Sequence, residues 1–199
     1  MPFDPEKNVI LEDEVVLLRP LENADFDHLL PFAIKEPELW VHSLVPADGR
    51  EKMKHYIDTA INARAAGDAY PFIVFDKRLE AYAGCTRFYD IQLYNQCLQL
   101  GYTWYGKQFQ GTGLNKHCKY LLLELAFDSW DMERVEFRAD YTNARSIAAM
   151  KRIGCKEEGV LRSNLLMPDG RRRDSIVLSI LKGEWEHAVK EHLASLLHI

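Results

Sequence analysis

The stretch from Leu98 to Trp130, LQLGYTWYGKQFQGTGLNKHCKYLLLELAFDSW, most narrows what this chain can become. Its first part, Leu98 to Tyr105, alternates and is rich in Tyr, Trp and Thr, the make-up of a strand. From Leu114 the apolar positions fall at Leu114, Cys118, Leu121, Leu122 and Leu125, a spacing that draws one buried stripe along a helix. A glycine-rich loop joins the two. The order strand, glycine loop, helix leaves the first N–H groups of the helix unpaired and adds the positive end of the helix dipole. Such a unit suits a phosphate or pyrophosphate, and the glycines let the ligand approach the backbone.

Two nucleotide motifs fail on their own spacing. A P-loop needs Lys and then Ser or Thr directly after its second glycine, where this chain has Thr112 and Gly113. A dinucleotide fingerprint needs a third glycine where Lys116 stands, and no crossover strand with an acidic ribose ligand follows. The surviving segment is Gln108-Phe109-Gln110-Gly111-Thr112-Gly113.

The rest of the chain sets its context. With 199 residues, 47% apolar and 28% charged, the expectation is a single domain, 1–199, with a full core. A net charge of −5 speaks against an extended nucleic-acid surface and favours cationic partners such as amines or basic peptides. Cys85, Cys97, Cys118 and Cys155 have neither C-x-x-C nor zinc spacing, so each reads as a reduced, buried core thiol and no metal site is expected. The start, MPFDPEKN, lacks a signal peptide's apolar run, and no uncharged run nears the ~20 residues of a membrane span. A soluble cytoplasmic protein is expected.

Element by element, Val15 to Arg19 is a strand stopped by Pro20, and Asn23 or Asp25 caps a helix with Phe26, Leu29, Leu30 and Ala33 inward. Trp40 to Pro46 reads as a loop, either a lid over the substrate side or a plain core patch. A second helix runs from Asp48 to the Gly67-Asp68 break. Tyr70 to Phe75 and Ala81 to Tyr89 form a hairpin, and Arg134 to Ala139 is a strand after the Leu114 helix. Asn143 caps a short helix that Gly154 ends, a hairpin joins Gly159–Leu166 to Asp174–Leu181, and Glu184 to Leu197 closes as an amphipathic helix.

Gln108 to Gly113 resembles the Q/R-x-x-G-x-G/A pyrophosphate loop of the GNAT acetyltransferases, whose ligand is acetyl-CoA. Asn143-Ala144-Arg145-Ser146 with Met150, Lys151, Ile153 and Gly154 is similar to that family's N-x-x-S/A segment after the fifth strand. Gly101-Tyr102-Thr103-Trp104 looks like the G-Y-x-W strand of the RimJ/RimL-type ribosomal-protein N-terminal acetyltransferases. The element order matches over nearly the whole chain. The resemblance implies a mixed α/β fold with a mostly antiparallel seven-stranded sheet flanked by helices. It implies that N–H groups over Gln110, Gly111, Thr112, Gly113, Leu114, Asn115 and Lys116 hold the CoA pyrophosphate. Tyr102, Thr103 and Trp104 would pair with the pantetheine arm as an added strand does, and Asn143 would hydrogen-bond it.

The implied chemistry is direct transfer of acetyl from the thioester to an amine, with a backbone N–H meeting the oxyanion. Many members carry a Tyr seven residues after the Asn; here stands Met150, and the RimL-type pattern makes Ser146 the proton donor instead. Where the family often has a basic Glu, this chain has Gln99. An α-amine is about 14% unprotonated at pH 7 and a lysine only about 0.04%, so a missing base points to an N-terminal acceptor. Three readings stay open: a protein or peptide N-acetyltransferase, a small-molecule amine acetyltransferase, and a non-catalytic acyl-CoA-binding module. A homodimer also stays open, since no residue marks an interface. His117 reads as a surface helix position that can approach CoA, and Arg171-Arg172-Arg173 as a solvated turn.

Overall fold

In the computed structural model, which describes residues 3–197, one eight-stranded sheet carries helices on both faces. Chain order is β1 (Leu11–Glu12), β2 (Val16–Pro20), α1 (Phe26–Lys35), α2 (Arg50–Ala65), β3 (Ala69–Asp76), β4 (Ala81–Gln92) and β5 (Cys97–Tyr105). Then follow α3 (Leu114–Glu124), β6 (Arg134–Asp140), α4 (Ala144–Arg152), β7 (Lys156–Leu166) and β8 (Arg172–Leu181). The chain closes on α5 (Lys182–Glu184), a π turn (Trp185–Val189) and α6 (Lys190–Ser195), which run on from one another where one regular helix was expected. Strand order is β1-β2-β3-β4-β5-β6-β8-β7. The eighth strand, beyond the expected seven, is β1: a two-residue bridge pairing Leu11 with Leu18 is too short to leave a period in the sequence.

The two faces bury different cores. On one, α3, α4 and α6 press Leu122, Met150 and Leu193 onto Phe88, Leu100, Val135 and Leu178. On the other, α1 and α2 cover only the strands up to β5, around Leu29, Met53, Tyr56, Ile73 and Trp104. Trp40, from the stretch read as lid or core, is buried in this second core. The far half of that face, on β6 and β8, presents Glu136, Arg138, Asp140, Ser175 and Ser179 instead, because inward residues on these strands alternate with Val135, Phe137, Ala139, Ile176 and Leu178.

Every pairing is antiparallel except β5 with β6, and that one is brief. Cys97, Leu98 and Gln99 pair with Arg134, Val135 and Glu136; beyond them β5 and β6 diverge. A bulge drives the divergence. Cys85 pairs with Trp104 and Arg87 with Gly101, so Tyr102 and Thr103 oppose Thr86 alone, and Tyr102 takes φ +47. A bulge adds local twist and turns the strand away from its neighbour. Gly84 makes room for it: a Cβ there would lie 2.0 Å from the Trp104 carbonyl oxygen.

Candidate active site

The wedge between β5 and β6 opens toward the glycine loop. Gly111 and Gly113 sit at φ +76 and +89, conformations that side chains other than glycine's rarely adopt, and no atom lies within 4 Å of where a Cβ would stand. Among the described residues, the N–H groups of Gly111, Thr112, Gly113 and Asn115 find no acceptor. The neighbouring amides are engaged: Gln110 donates to Lys107 O, Lys116 to Gly113 O, and Leu114 reaches Thr112 Oγ1 at 3.4 Å. The result is a row of free donors at the start of α3, the arrangement a pyrophosphate needs.

Side chains around the loop hold it rather than reach outward. Gln110 donates to Tyr105 O at 2.7 Å and accepts from Arg145 at 2.5 Å, which ties the end of β5 to the start of α4. Asn115 accepts from the Tyr105 hydroxyl at 3.2 Å, and Thr112 donates to Phe109 O at 2.8 Å. Trp104, Phe109 and Leu114 are buried in the cores, so what they can offer a ligand is backbone. Gln108 is exposed. Lys116 donates to Leu196 O at 3.3 Å.

Across the wedge, Asn143 caps α4 by accepting from Ser146 N–H at 3.1 Å. The cap uses its carbonyl oxygen and leaves the amide NH₂ for another acceptor. The Ser146 hydroxyl is half-buried in the first turn of α4 and has no partner among the described residues. Met150 lies one face away, in the core, which explains an apolar residue there.

Carboxylates on this side are all held. Glu136 accepts from Arg134 at 2.8 Å and Arg138 at 2.6 Å. Asp90 accepts from Gln99 at 2.7 Å and Gln92 at 3.1 Å. Burial alone would raise the Asp140 pKa, but the Thr142 hydroxyl and N–H and the Arg171 guanidinium reverse that and hold it far below the usual range. Gln99 itself is buried with its Oε1 unpartnered.

Some positions differ from the reading of the sequence. His117 is buried, with Nδ1 2.7 Å from Asp13 Oδ2, because α3 turns that side toward the segment before β2. Of the arginine run, Arg171 and Arg172 are exposed at the turn, as the solvated reading has it, though Arg171 also donates to Asp140 at 2.8 Å; Arg173 departs from it, buried on β8. Cys85, Cys118 and Cys155 are buried thiols, while Cys97 is half-buried at the start of β5. Lys119 and Arg87, also at this site, belong to none of the sequence motifs. Lys119 sits on the polar side of the α3 period, but Arg87 interrupts the apolar run of a strand, AGCTRFYD, which is a usable signal.

Lys119 lies under the bulge, 5% exposed, donating to Thr103 Oγ1 at 3.0 Å and Thr86 Oγ1 at 3.4 Å. Burial brings its ammonium down to about 8. Among the described residues, no group of three or more His, Cys, Asp or Glu is placed to hold a metal ion, and no helix is long and apolar enough to cross a membrane.

A family model described as "Acetyltransferase (GNAT) domain" matches residues 16–156. The chain is 28% identical over 184 residues to a candidate ribosomal N-acetyltransferase, YdaF, of Bacillus subtilis (strain 168), covering 87% of this chain and 95% of that one. It superposes on the crystal structure of a candidate acetyltransferase from T. thermophilus with TM-score 0.85 and 32% identity, covering 94% and 96% of the two chains. A GCN5-related N-acetyltransferase from Brucella melitensis shares the fold at TM-score 0.88 and 24% identity, over 98% of this chain and 88% of that one.

Proposed function

The chain belongs to the GNAT acetyltransferase family, an N-acetyltransferase dependent on acetyl-CoA, and from that membership we propose that its acceptor is the α-amine of a protein or peptide N-terminus. The observation that carries the acceptor is the state of the carboxylates. Glu136, Asp90 and Asp140 are each committed to two or more donors, and Gln99 cannot take a proton. An amine already partly neutral at pH 7 is the acceptor such a site can use without a base. The 28% identity to a protein named for ribosomal N-acetylation supports the same class, and an acceptor of that class would call for a cytoplasmic setting.

Acetyl-CoA supplies the activated acetyl group. The free amides of Gly111, Thr112, Gly113 and Asn115 would hold its pyrophosphate, and the unpaired upper edge of β5, Tyr102 to Trp104, together with the Asn143 amide would line its pantetheine arm. An N–H of the bulge would meet the charge that develops on the thioester oxygen. The Ser146 hydroxyl, with no competing partner, would pass its proton to the departing thiolate and regain one from the nitrogen that became cationic on attack, so that no alkoxide is left.

A free-thiol release assay with acetyl-CoA tests the reading against peptides beginning Ala, Ser or Thr, lysine peptides and polyamines. Turnover of the N-terminal peptides is expected; activity confined to lysine side chains overturns the acceptor. Ser146→Ala should lower kcat by about a hundredfold while acetyl-CoA still binds in calorimetry. Full activity there removes Ser146 from the reaction. Gly113→Asp puts a carboxylate against the pyrophosphate at a positive φ and should weaken acetyl-CoA binding by roughly a hundredfold, about 3 kcal/mol of charge-assisted hydrogen bonding.

A further inference from the structure

All six buried side-chain polar atoms that lack a hydrogen-bond partner among the described residues belong to five side chains: Trp40, His42, Arg87, Gln99 and Arg173. They are not scattered. Arg87 on β4 pairs opposite Gly101, next to the bulge; Gln99 pairs opposite Tyr89; Arg173 on β8 lies two residues before Ser175, which pairs opposite Asp140. Trp40 packs on Trp104 and Tyr56, and His42 stands 3.6 Å from Asp140. Every one of them lies on the sheet face that α1 and α2 leave half covered, beside the wedge where acetyl transfer would occur.

The charges on this face do not balance. Arg138 pairs with Glu136 and Arg171 with Asp140, which leaves Arg87 and Arg173 with no carboxylate within ion-pair distance among the described residues. Both are nine-tenths buried or more, at 4% and 5% exposure. A buried guanidinium without an anion is costly in any fold, and it cannot shed its charge as a lysine can. Aromatic rings make up part of the deficit: the Arg87 guanidinium lies 4.3 Å from the Tyr102 ring centroid and 5.3 Å from that of Tyr56. Those rings flank the guanidinium and supply no acceptor for two of its buried nitrogens. The unpartnered atoms are Nε and Nη2, whose two N–H bonds run side by side and match the two oxygens of a carboxylate. Tyr89, edge-on to Tyr102 at 5.0 Å and within electrostatic reach of Arg173, lies between the two arginines on this face.

Resting on the acetyltransferase reading above, we infer that this face, opened by the arriving substrate, binds the acceptor by a carboxylate carried near its amine, with Arg87 as the bidentate anchor, Arg173 as the second cation, and Gln99 Oε1 accepting from the amine. The acceptor class is thus an N-terminus whose first or second residue is acidic, or an amino acid with a free carboxylate.

Matched acceptor pairs test this on the unaltered protein: peptides beginning Asp against Asn, Ala-Asp against Ala-Asn, and alanine against alaninamide, each read by thiol release. The acidic member of at least one pair should show a kcat/KM at least tenfold higher, and Arg87→Gln should bring that ratio toward one through KM. Arg87→Lys, which keeps charge but not the fork, should restore only part of it. Acetyl-CoA binding by calorimetry checks that each variant is folded. Brisk transfer to both members of every pair at equal rates overturns the carboxylate assignment and leaves the transferase reading standing. A preference for phosphoserine peptides over their acidic counterparts overturns it in favour of a phosphate. No thiol release with any amine, while acetyl-CoA binds, brings down the transferase reading and this inference together.

Discussion

Lys119 and Arg87 sit on opposite faces of the β4–β5 pair, at the same bulge and equally hidden, at 5% and 4% exposure. They solve burial differently. Lys119 faces a closed core, has the Thr103 and Thr86 hydroxyls as acceptors, and is brought by burial to about 8, so near neutrality a small shift lets it lose its proton. Arg87 faces the polar half of the opposite face, lies against two tyrosine rings and keeps two buried N–H groups without an acceptor. The difference teaches that one side of the bulge is complete by itself and the other is shaped for something external. A lysine meets a dry interior with hydroxyl acceptors and a lowered pKa above which it carries no charge; a guanidinium in the same position stays charged and calls for an anion.

The bulge is what holds the two apart, so breaking it has the largest expected effect. Thr103 turns to Lys119 and Tyr102 to Arg87 only because two residues of β5 oppose Thr86. In Gly84→Ala the new Cβ would meet the Trp104 carbonyl oxygen at 2.0 Å and the Tyr105 Cα at 3.0 Å, backbone atoms that cannot rotate away. A loss of about 3 kcal/mol or more is expected in urea unfolding. An unchanged midpoint would mean that β4 and β5 slide to a new register at little expense, and the contrast between the faces would not depend on the bulge.

Second in size is Lys119→Met, which makes the closed face apolar. The folded-state ammonium titrates near 8 against an ordinary 10.5, so between those values the unfolded chain binds more protons and stability rises with pH. Below about 8 the buried charge destabilises the native protein by at most about 3 kcal/mol; above 10.5 that penalty is gone. Lys119→Met should therefore be more stable than the parent at neutral pH and lose its advantage as pH climbs through that window. A parallel pair of stability curves for variant and parent would remove Lys119 as the titrating group.

What could be read in the sequence and what could not divides along the same line. The strand, loop and helix from Leu98 to Leu125 declare themselves because alternation, the positive φ of Gly111 and Gly113, and a helical stripe are local properties. The Asn143 cap is local too, bonding Ser146 three residues on. Lys119 is buried by hydroxyls 16 and 33 residues away, and no local pattern records that. His117 is buried through Asp13, a partner 104 residues distant. The positive φ of Tyr102 falls on a residue that ordinarily avoids it, since the bulge is dictated by β4 and not by the Tyr itself. The inferred acceptor site needs several distant elements to converge, which leaves only the odd Arg in an apolar strand as its trace.

The smallest effect sharpens the comparison most. The Thr86 hydroxyl lies 2.8 Å from that of Thr103 and accepts from Lys119 at 3.4 Å, so Thr86→Val deletes the weaker of the two acceptors while keeping a β-branched side chain of similar shape. About 1 kcal/mol should be lost where Lys119 is charged, below about 8. With fewer acceptors the ammonium is less favoured, so the folded-state pKa falls further and stability starts to rise with pH from a lower value than in the parent. The deficit then shrinks as the amine discharges, because a neutral amine has less need of the lost oxygen. Urea midpoints taken across that range check it. A deficit equal on both sides of the window would show that the hydroxyl packs without serving the ammonium, and that depth alone, without the threonine pair, lets the closed face keep its lysine.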